Sequence, residues 1–523
     1  MSSPSNPTPR PGSPPTPPRL RLRTVALGAL LPCVLLGLGE GLLRLAGIGA
    51  DLRTSELAYQ EVFTPALVPG QRASGEPILQ TWDPRHAWQA LAAVKPARSL
   101  RVLCFGGSAT AGLGHSPNVT FVRQLEDLLR AAHPGRTVEV INLAVVGIAA
   151  KQVRVLVEDA LVRHEPDLVV VYSGNNEFLS VHAARYFALH ASWRRRLAGQ
   201  VRELHLVRAL RRMLRGTPGS GSLPRRDLAL SEEARLTHTS MLQGIQVSEQ
   251  ENERTLAGYR AELEAMARAA RSCGVPLLIV GVAVNWEWVG PLGLPDDWIE
   301  VTLGRPGTPA QAIAELNARI ARGDQSAYEL WQALSRRATA KDLAGDALGA
   351  TADWRASSNV DPYQRRATDS HLAAARAAAE AAEMPFLDAV ALCVADDPRA
   401  RSGFRHFYDY VHFTPRGAMV VAQGVFQAMQ GIQGLPQPEV DLTQGVDGLL
   451  RIFGERLERI RDAQFDFTAR QEFVGFCFEP RSLHSTDLWK YDTAVRELDE
   501  RLGSDPDDWR ALAYRGNARS FTP

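Results

Sequence analysis

The chain has 523 residues, 45% of them hydrophobic and 22% charged, the composition of a globular protein longer than one typical domain. A net charge of +1 excludes a general nucleic-acid binder, which carries a strong basic excess. Five cysteines (Cys33, Cys104, Cys273, Cys393 and Cys477) lie far apart with no CxxC pair, so buried thiols are expected, not a disulfide framework or a zinc site.

Residues 1–18 are dense in proline, serine and threonine and cannot build a core. Arg19, Arg21 and Arg23 then precede the apolar run "TVALGALLPCVLLGLG", a pattern that keeps the N-terminus cytoplasmic and exports the remainder. The run is short for a membrane span and borders on a signal-peptide core. Glu40 and Arg44 can snorkel at its far end, so an uncleaved anchor over residues 19–48 is expected, ahead of a cleaved signal or a buried helix. Residues 49–99, with weak periodicity and several prolines, read as a lead-in segment over the domain surface.

A regular alternation begins at Leu100. "LRVLCFGG", "VEVINLAV" and "DLVVVYSG" read as buried strands, and "FVRQLEDLLRAAH" and "AAKQVRVLVEDALVRH" as amphipathic helices between them. Strands this apolar, alternating with helices, predict a parallel sheet covered on both faces, hence a three-layer α/β/α fold. Functional residues of such sheets lie in loops after the strands' carboxyl ends, here "GGSATAG", "VVGIAA" and "SGNNEF".

The pattern then breaks. A helical insertion is expected at about 181–383, within which "ERTLAGYRAELEAMARAARSCG" and "PLLIVGVAV" restore one helix and one strand. "PFLDAV" reads as a last strand and "TPRGAMVVAQGVFQAMQ" as a last helix with proline near its start, which closes a catalytic domain over 100–430. Residues 431–523 read as a helical extension, tetratricopeptide-like at 484–519. One such unit cannot bury its own face, so it docks on the catalytic domain or takes a protein partner.

A serine hydroxyl is a weak nucleophile until a base removes its proton. The Gly106-Gly107-Ser108 turn presents a hydroxyl, and "FYDYVHFTPRG" offers the base, with Asp409 and His412 three residues apart. On a turn or loose helix this spacing sets the carboxylate against one imidazole nitrogen and leaves the other for Ser108. Acyl transfer also needs donors for the developing oxyanion. The backbone N–H groups of Ser108 and Gly147 and the side-chain amide of Asn176 converge from the three loops of one sheet edge.

These blocks resemble the SGNH, or GDSL-type, hydrolase family of lipases and acylhydrolases. Ser108 in "GGS", Gly147 in "NLAVVG", Asn176 in "SGNNEF" and Asp409 with His412 in "DYVH" match its blocks in order, over roughly residues 100–430. The resemblance implies a serine esterase or acyltransferase mechanism without metal or cofactor. Gly107 stands where the family often has aspartate before the serine, and Glu177 where aspartate often follows the asparagine. The long interval from Asn176 to His412 implies that the insertion shapes the substrate pocket.

Other readings fit less of the chain. His406, Asp409 and His412 are evenly spaced, but no HExxH or cysteine pair accompanies them as in a metal site. Thr110 occupies the last position of a Gly-x-Ser-x-Gly elbow, which is therefore absent. The basic stretch Ser192–Gly216 suits a solvated helix or an anionic lipid surface, and Trp286 and Trp288 suit strand-end packing or a wall for a sugar or acyl chain. The expectation is a membrane-anchored, extracytoplasmic esterase acting on an O-acylated carbohydrate or lipid. An O-acyltransferase for an exported polysaccharide and a non-catalytic envelope scaffold are the alternatives.

Overall fold

The strand "SLRVLCFG" is covered on both faces, and its side chains divide between two cores. In β4 (Ser99–Gly106), Leu100, Val102 and Cys104 enter one hydrophobic cluster while Leu103 and Phe105 enter the other. This is the period-two alternation of an extended strand. The computed structural model describes residues 22–46, most of 62–113, 120–182, a few positions between 201 and 210, 246–289 and 297–442, with isolated positions beside them.

Five parallel strands form the main sheet in the order β5 (Thr137–Asn142), β4, β6 (Leu168–Tyr172), β7 (Leu277–Gly281) and β8 (Phe386–Asp388). Following β4 itself, α2 (Ser108–Ala111) is a single short turn. One face is covered by α3 (Phe121–Ala132) and the late helix Pro415–Gln430. The other carries α4 (Ala150–Arg163), α5 (Glu249–Ser272) and the helix Asp369–Ala381. The three-layer α/β/α architecture follows. Because β4 starts the sheet at its interior and the chain then goes to either side, a crevice opens beyond the carboxyl ends of β4 and its neighbours.

One region differs from the expectation. Residues 67–92 form a second, antiparallel sheet of β1 (Leu67–Gln71), β2 (Pro77–Thr81) and β3 (Ala90–Ala92). It is tied to the main sheet by Arg101, buried, which pairs with Glu139 at 2.8 Å and donates to the Ala92 carbonyl, while Glu139 accepts the Ala92 N–H. Within the stretch 181–383, α5 and β7 belong to the sheet layers. Outside them lie α6 (Trp298–Leu303), α7 (Pro309–Arg322), α8 (Ala327–Leu343) and α9 (Ala347–Asn359), before α10 (Asp369–Ala381), α11 (Ala389–Asp396) and α12 (Pro415–Gln430). Arg337 of α8 makes two 2.7 Å bonds to Asp353 of α9, and Ser335 meets Ser357 at 2.6 Å.

The chain divides into two units, Met1–Leu52 with Gln200–Gly216, and Arg53–Gly199 with Thr217–Pro523. In the first, α1 (Leu22–Leu45) places Glu40 to accept Arg44 at 2.8 Å and the N–H groups of His205 and Leu206. No helix among the described residues is long and apolar enough to cross a membrane. The proline-rich segment 1–18, most of Ser192–Gly216 and the tetratricopeptide-like unit 484–519 lie outside the described residues. Cys104 and Cys393 are buried as expected, but Cys273, capping α5, is exposed.

Candidate active site

Ser108 begins α2, with Gly107 as the residue before the helix. The first N–H groups of a helix have no intrahelical acceptor, so the Ser108 N–H points out of the turn unused by it. Thr110 pins the turn by donating its hydroxyl to the Tyr172 carbonyl at 3.1 Å, and Asn142 donates to the Thr110 carbonyl at 2.7 Å. The turn is thus fastened to the strands on either side of β4.

The loop after β5 carries Gly147 at φ 79°, a left-handed conformation that favours glycine. Its neighbour Ile148 presents a carbonyl that accepts Asn176 Nδ2 at 2.9 Å from the loop after β6. A Cβ on Gly107 would lie 2.5 Å from that Nδ2 and 3.3 Å from the Ile148 carbonyl oxygen. The three strand-end loops therefore meet at Gly107, Ile148 and Asn176. Glycine at 107, where aspartate was the family's frequent choice, is what lets the Asn176 amide lie this close to the serine turn.

Asp409 and His412 come from the turn before α12. His412 Nε2 accepts the Ser108 hydroxyl at 2.8 Å, and His412 Nδ1–H donates to Asp409 Oδ2 at 2.6 Å. The other carboxylate oxygen of Asp409 accepts the N–H groups of Val411 and His412, each at 2.8 Å. All three side chains are nearly buried, at 5%, 2% and 1% exposure for Ser108, Asp409 and His412. Burial would raise the Asp409 carboxyl, but the attraction of His412 and the N–H bonds outweigh it and hold the group below the ordinary aspartate value of 3.8. The line Ser108–His412–Asp409 can move a proton from the serine hydroxyl to the imidazole while the carboxylate fixes the ring.

The match to known families agrees with this geometry. Residues 102–278 fit the model described as GDSL-like lipase/acylhydrolase. That segment is similar to a GDSL-like acylhydrolase domain. Ser108, Gly147 and Asn176 fall inside the matched segment, and the fold brings Asp409 and His412 to them from beyond it. No curated protein matches the chain. Among solved structures, a GDSL-like lipase from Bacteroides thetaiotaomicron is 14% identical with a TM-score of 0.29, over 65% of this chain and 91% of that one. An acetylxylan esterase from Geobacillus stearothermophilus is 12% identical with a TM-score of 0.29, over 65% of this chain and 99% of that one.

An open pocket of about 220 Å³ lies against Ser108, lined by Ala109, Tyr172, Gly174, Asn175, Asn176 and Val282 among others. Glu177, the second departure from the family pattern, is buried and accepts the Ala150 N–H at 3.0 Å, so it joins the asparagine loop to the start of α4. Burial pushes its carboxyl up to about 7, against the effect of that bond.

His406 does not share a centre with Asp409 and His412. Its Nε2 bonds Asp396 at 2.9 Å, an aspartate that Arg416 also holds at 2.7 Å. Among the described residues no group of three or more histidine, cysteine, aspartate or glutamate side chains is placed to hold a metal ion. Trp286 and Trp288 are only 4% and 8% exposed and pack within the protein, so neither forms an open wall. Sequence reasoning passed over the asparagine beside them, Asn285, and the buried Arg366 that contacts it. The signal was available as a polar residue ending the apolar run "LLIVGVAV".

Proposed function

We propose that the acylhydrolase domain cleaves short-chain O-acyl esters through an acyl-enzyme on Ser108. The observation that carries this reading is the bonded line from Ser108 Oγ through His412 to Asp409 at the carboxyl edge of the sheet. In the reaction, Ser108 Oγ bonds to the ester carbonyl carbon as its proton passes to His412 Nε2. The negative charge that develops on the carbonyl oxygen is met by the N–H groups of Ser108 and Gly147 and the side-chain amide of Asn176. Collapse breaks the bond to the alcohol oxygen, which takes the proton from His412. Water then repeats the sequence on the acyl-enzyme.

The described lining beside Ser108, with Tyr172, Gly174 and Val282 close to the hydroxyl, leaves room for a short acyl group, and a short acyl group is the one proposed. A sugar hydroxyl in place of water makes the same acyl-enzyme a transferase. An O-acylated carbohydrate is the proposed substrate, and the long interval before Asp409 is proposed to shape its access. The assay is hydrolysis of aryl esters of graded chain length, repeated with oligosaccharide acceptors. Turnover that peaks at the shortest chains supports the reading, and a preference for long chains refutes it. Acylated oligosaccharide in place of free acid assigns transfer.

An exported, membrane-held location belongs to the same proposal. It rests on Arg19, Arg21 and Arg23 ahead of the apolar run, and on the exposed Val34, Leu35, Leu36, Leu38, Leu42 and Leu45 along α1.

A further inference from the structure

Asn285 follows β7, an interior strand whose carboxyl end carries none of the catalytic or oxyanion residues named above. It is fully buried, with 0% of its surface exposed. Its backbone N–H donates to the Tyr410 carbonyl at 2.9 Å, and its side-chain Nδ2 donates to the Asp409 carbonyl at 2.8 Å. These are successive carbonyls of the turn whose N–H groups, those of Val411 and His412, are gripped by the Asp409 carboxylate. The turn is therefore held on both edges, by its own carboxylate on one and by Asn285 on the other.

Asn285 is seated in turn by Arg366, 1% exposed, whose Nη1 donates to the Asn285 carbonyl. The next N–H, of Ala367, donates to Asn175 Oδ1 at 3.2 Å, beside Asn176 on the pocket wall. Two consecutive residues between α9 and α10 thus touch both halves of the site. The flanking residues add to the same dock: Trp286 N–H donates to the Ser402 carbonyl at 2.8 Å, and Glu287 accepts Arg401 at 2.9 Å and the Phe404 N–H at 2.8 Å.

We propose that Asn285 is a positioning residue of the acylhydrolase site, setting the Asp409–His412 turn at bonding distance from Ser108, and that Arg366 seats it. The proposal rests on the serine mechanism above. It follows from what the turn must do, since a displacement of about 1 Å in a reacting group can cost on the order of 10²-fold in rate. The pocket contacts are untouched by Asn285, so substrate binding should not follow the rate.

The test uses the full chain with Asn285→Ala, Arg366→Ala and Arg366→Lys. The readouts are kcat and KM on a short aryl ester, the rate of fluorophosphonate labelling, the thermal midpoint, and the low-field proton resonance of His412 Nδ1–H. Asn285→Ala should lower kcat and the labelling rate by about 10- to 100-fold with KM within about twofold, and should broaden or shift the low-field resonance. Arg366→Lys, which keeps a donor for the Asn285 carbonyl, should stay near the parent rate, while Arg366→Ala should follow Asn285→Ala. If Arg366→Ala does not fold, the lysine and Asn285 variants decide the matter. A folded Asn285→Ala enzyme with parent kcat per labelled serine and an unchanged low-field resonance overturns the proposal, even if its thermal midpoint falls. A parent that neither labels nor turns over ester overturns the serine mechanism itself, a different failure from that of the positioning role.

Discussion

Asn176 Nδ2 lies where a side chain on Gly107 would begin, 2.5 Å from the position of a Cβ there, and is held in place by its bond to the Ile148 carbonyl. The residue before the nucleophile and the proposed oxyanion donor therefore compete for one space. Gly107→Ala should push the Asn176 amide aside, the end of a movable side chain, because φ is −92° at this position, outside the left-handed region that only glycine favours. We expect kcat to fall by about 10²–10³, as for Asn176→Ala, and the double variant to be no slower than either single one. Additive losses in steady-state rates would show that the two residues act separately.

Asp409 accepts bonds on both oxygens, one from the imidazole and two from the backbone. Asp409→Asn should keep the turn nearly intact yet reverse the bond to Nδ1, leaving the wrong tautomer facing Ser108. A loss on the order of 10⁴ in kcat is expected, with KM little changed. Because the carboxyl is held below 3.8, it should add no limb to the pH–rate profile of the parent in the neutral range. A profile whose acid limb disappears in Asp409→Asn would contradict that assignment.

Glu177 makes a prediction about stability. Its folded value of about 7 stands above the ordinary 4.5, so the folded protein binds the proton more tightly than the unfolded chain. The stabilisation from the neutral carboxyl is complete below 4.5, declines as pH rises between 4.5 and about 7, and is gone above it. Glu177→Gln keeps an acceptor for the Ala150 N–H without the charge. It should gain on the order of 3 kcal/mol over the parent at pH 8 and almost nothing at pH 4, measured by denaturant titration at each pH. A gain independent of pH would place the effect elsewhere.

The location is tested by comparing the full chain with one that starts at Asp51. The full chain should sediment with membranes and resist extraction by high salt, and the shorter one should stay in the supernatant. Equal partitioning of the two would remove α1 from any role as an anchor.

The sheet and most of the site were readable because the relevant residues stand at punctuation points. Apolar runs ending in Gly106, Val145 and Gly174 mark strands whose loops must hold the chemistry, and Pro415 after Thr414 marks the start of α12 as the structure has it. The distance from Ser108 to His412 in sequence was no obstacle, since an Asp-x-x-His pair needs only one turn to form its own bond. The β1–β3 sheet was not readable. Its strands are short and carry prolines, and it is secured by Arg101 and Glu139, charged residues whose partner is set by tertiary packing. The start of α5 was set four residues too late, although Ser248 and Glu251 form a capping box that the sequence displays. Asn285 was overlooked for the opposite reason. The two tryptophans near it, which suit strand-end packing or a wall, are the conspicuous residues there, and a single polar residue at the end of an apolar strand does not announce which carbonyls it will hold.

The proposed chemistry depends on Ser108 acting as a nucleophile driven by His412. Reaction of the full chain with a fluorophosphonate probe tests it most directly, because such a probe needs an activated serine and no knowledge of the substrate. One label on Ser108 is expected, abolished by Ser108→Ala and reduced to background by His412→Ala in protein that remains folded. Labelling that survives either substitution, or a folded parent that takes no label, would contradict it.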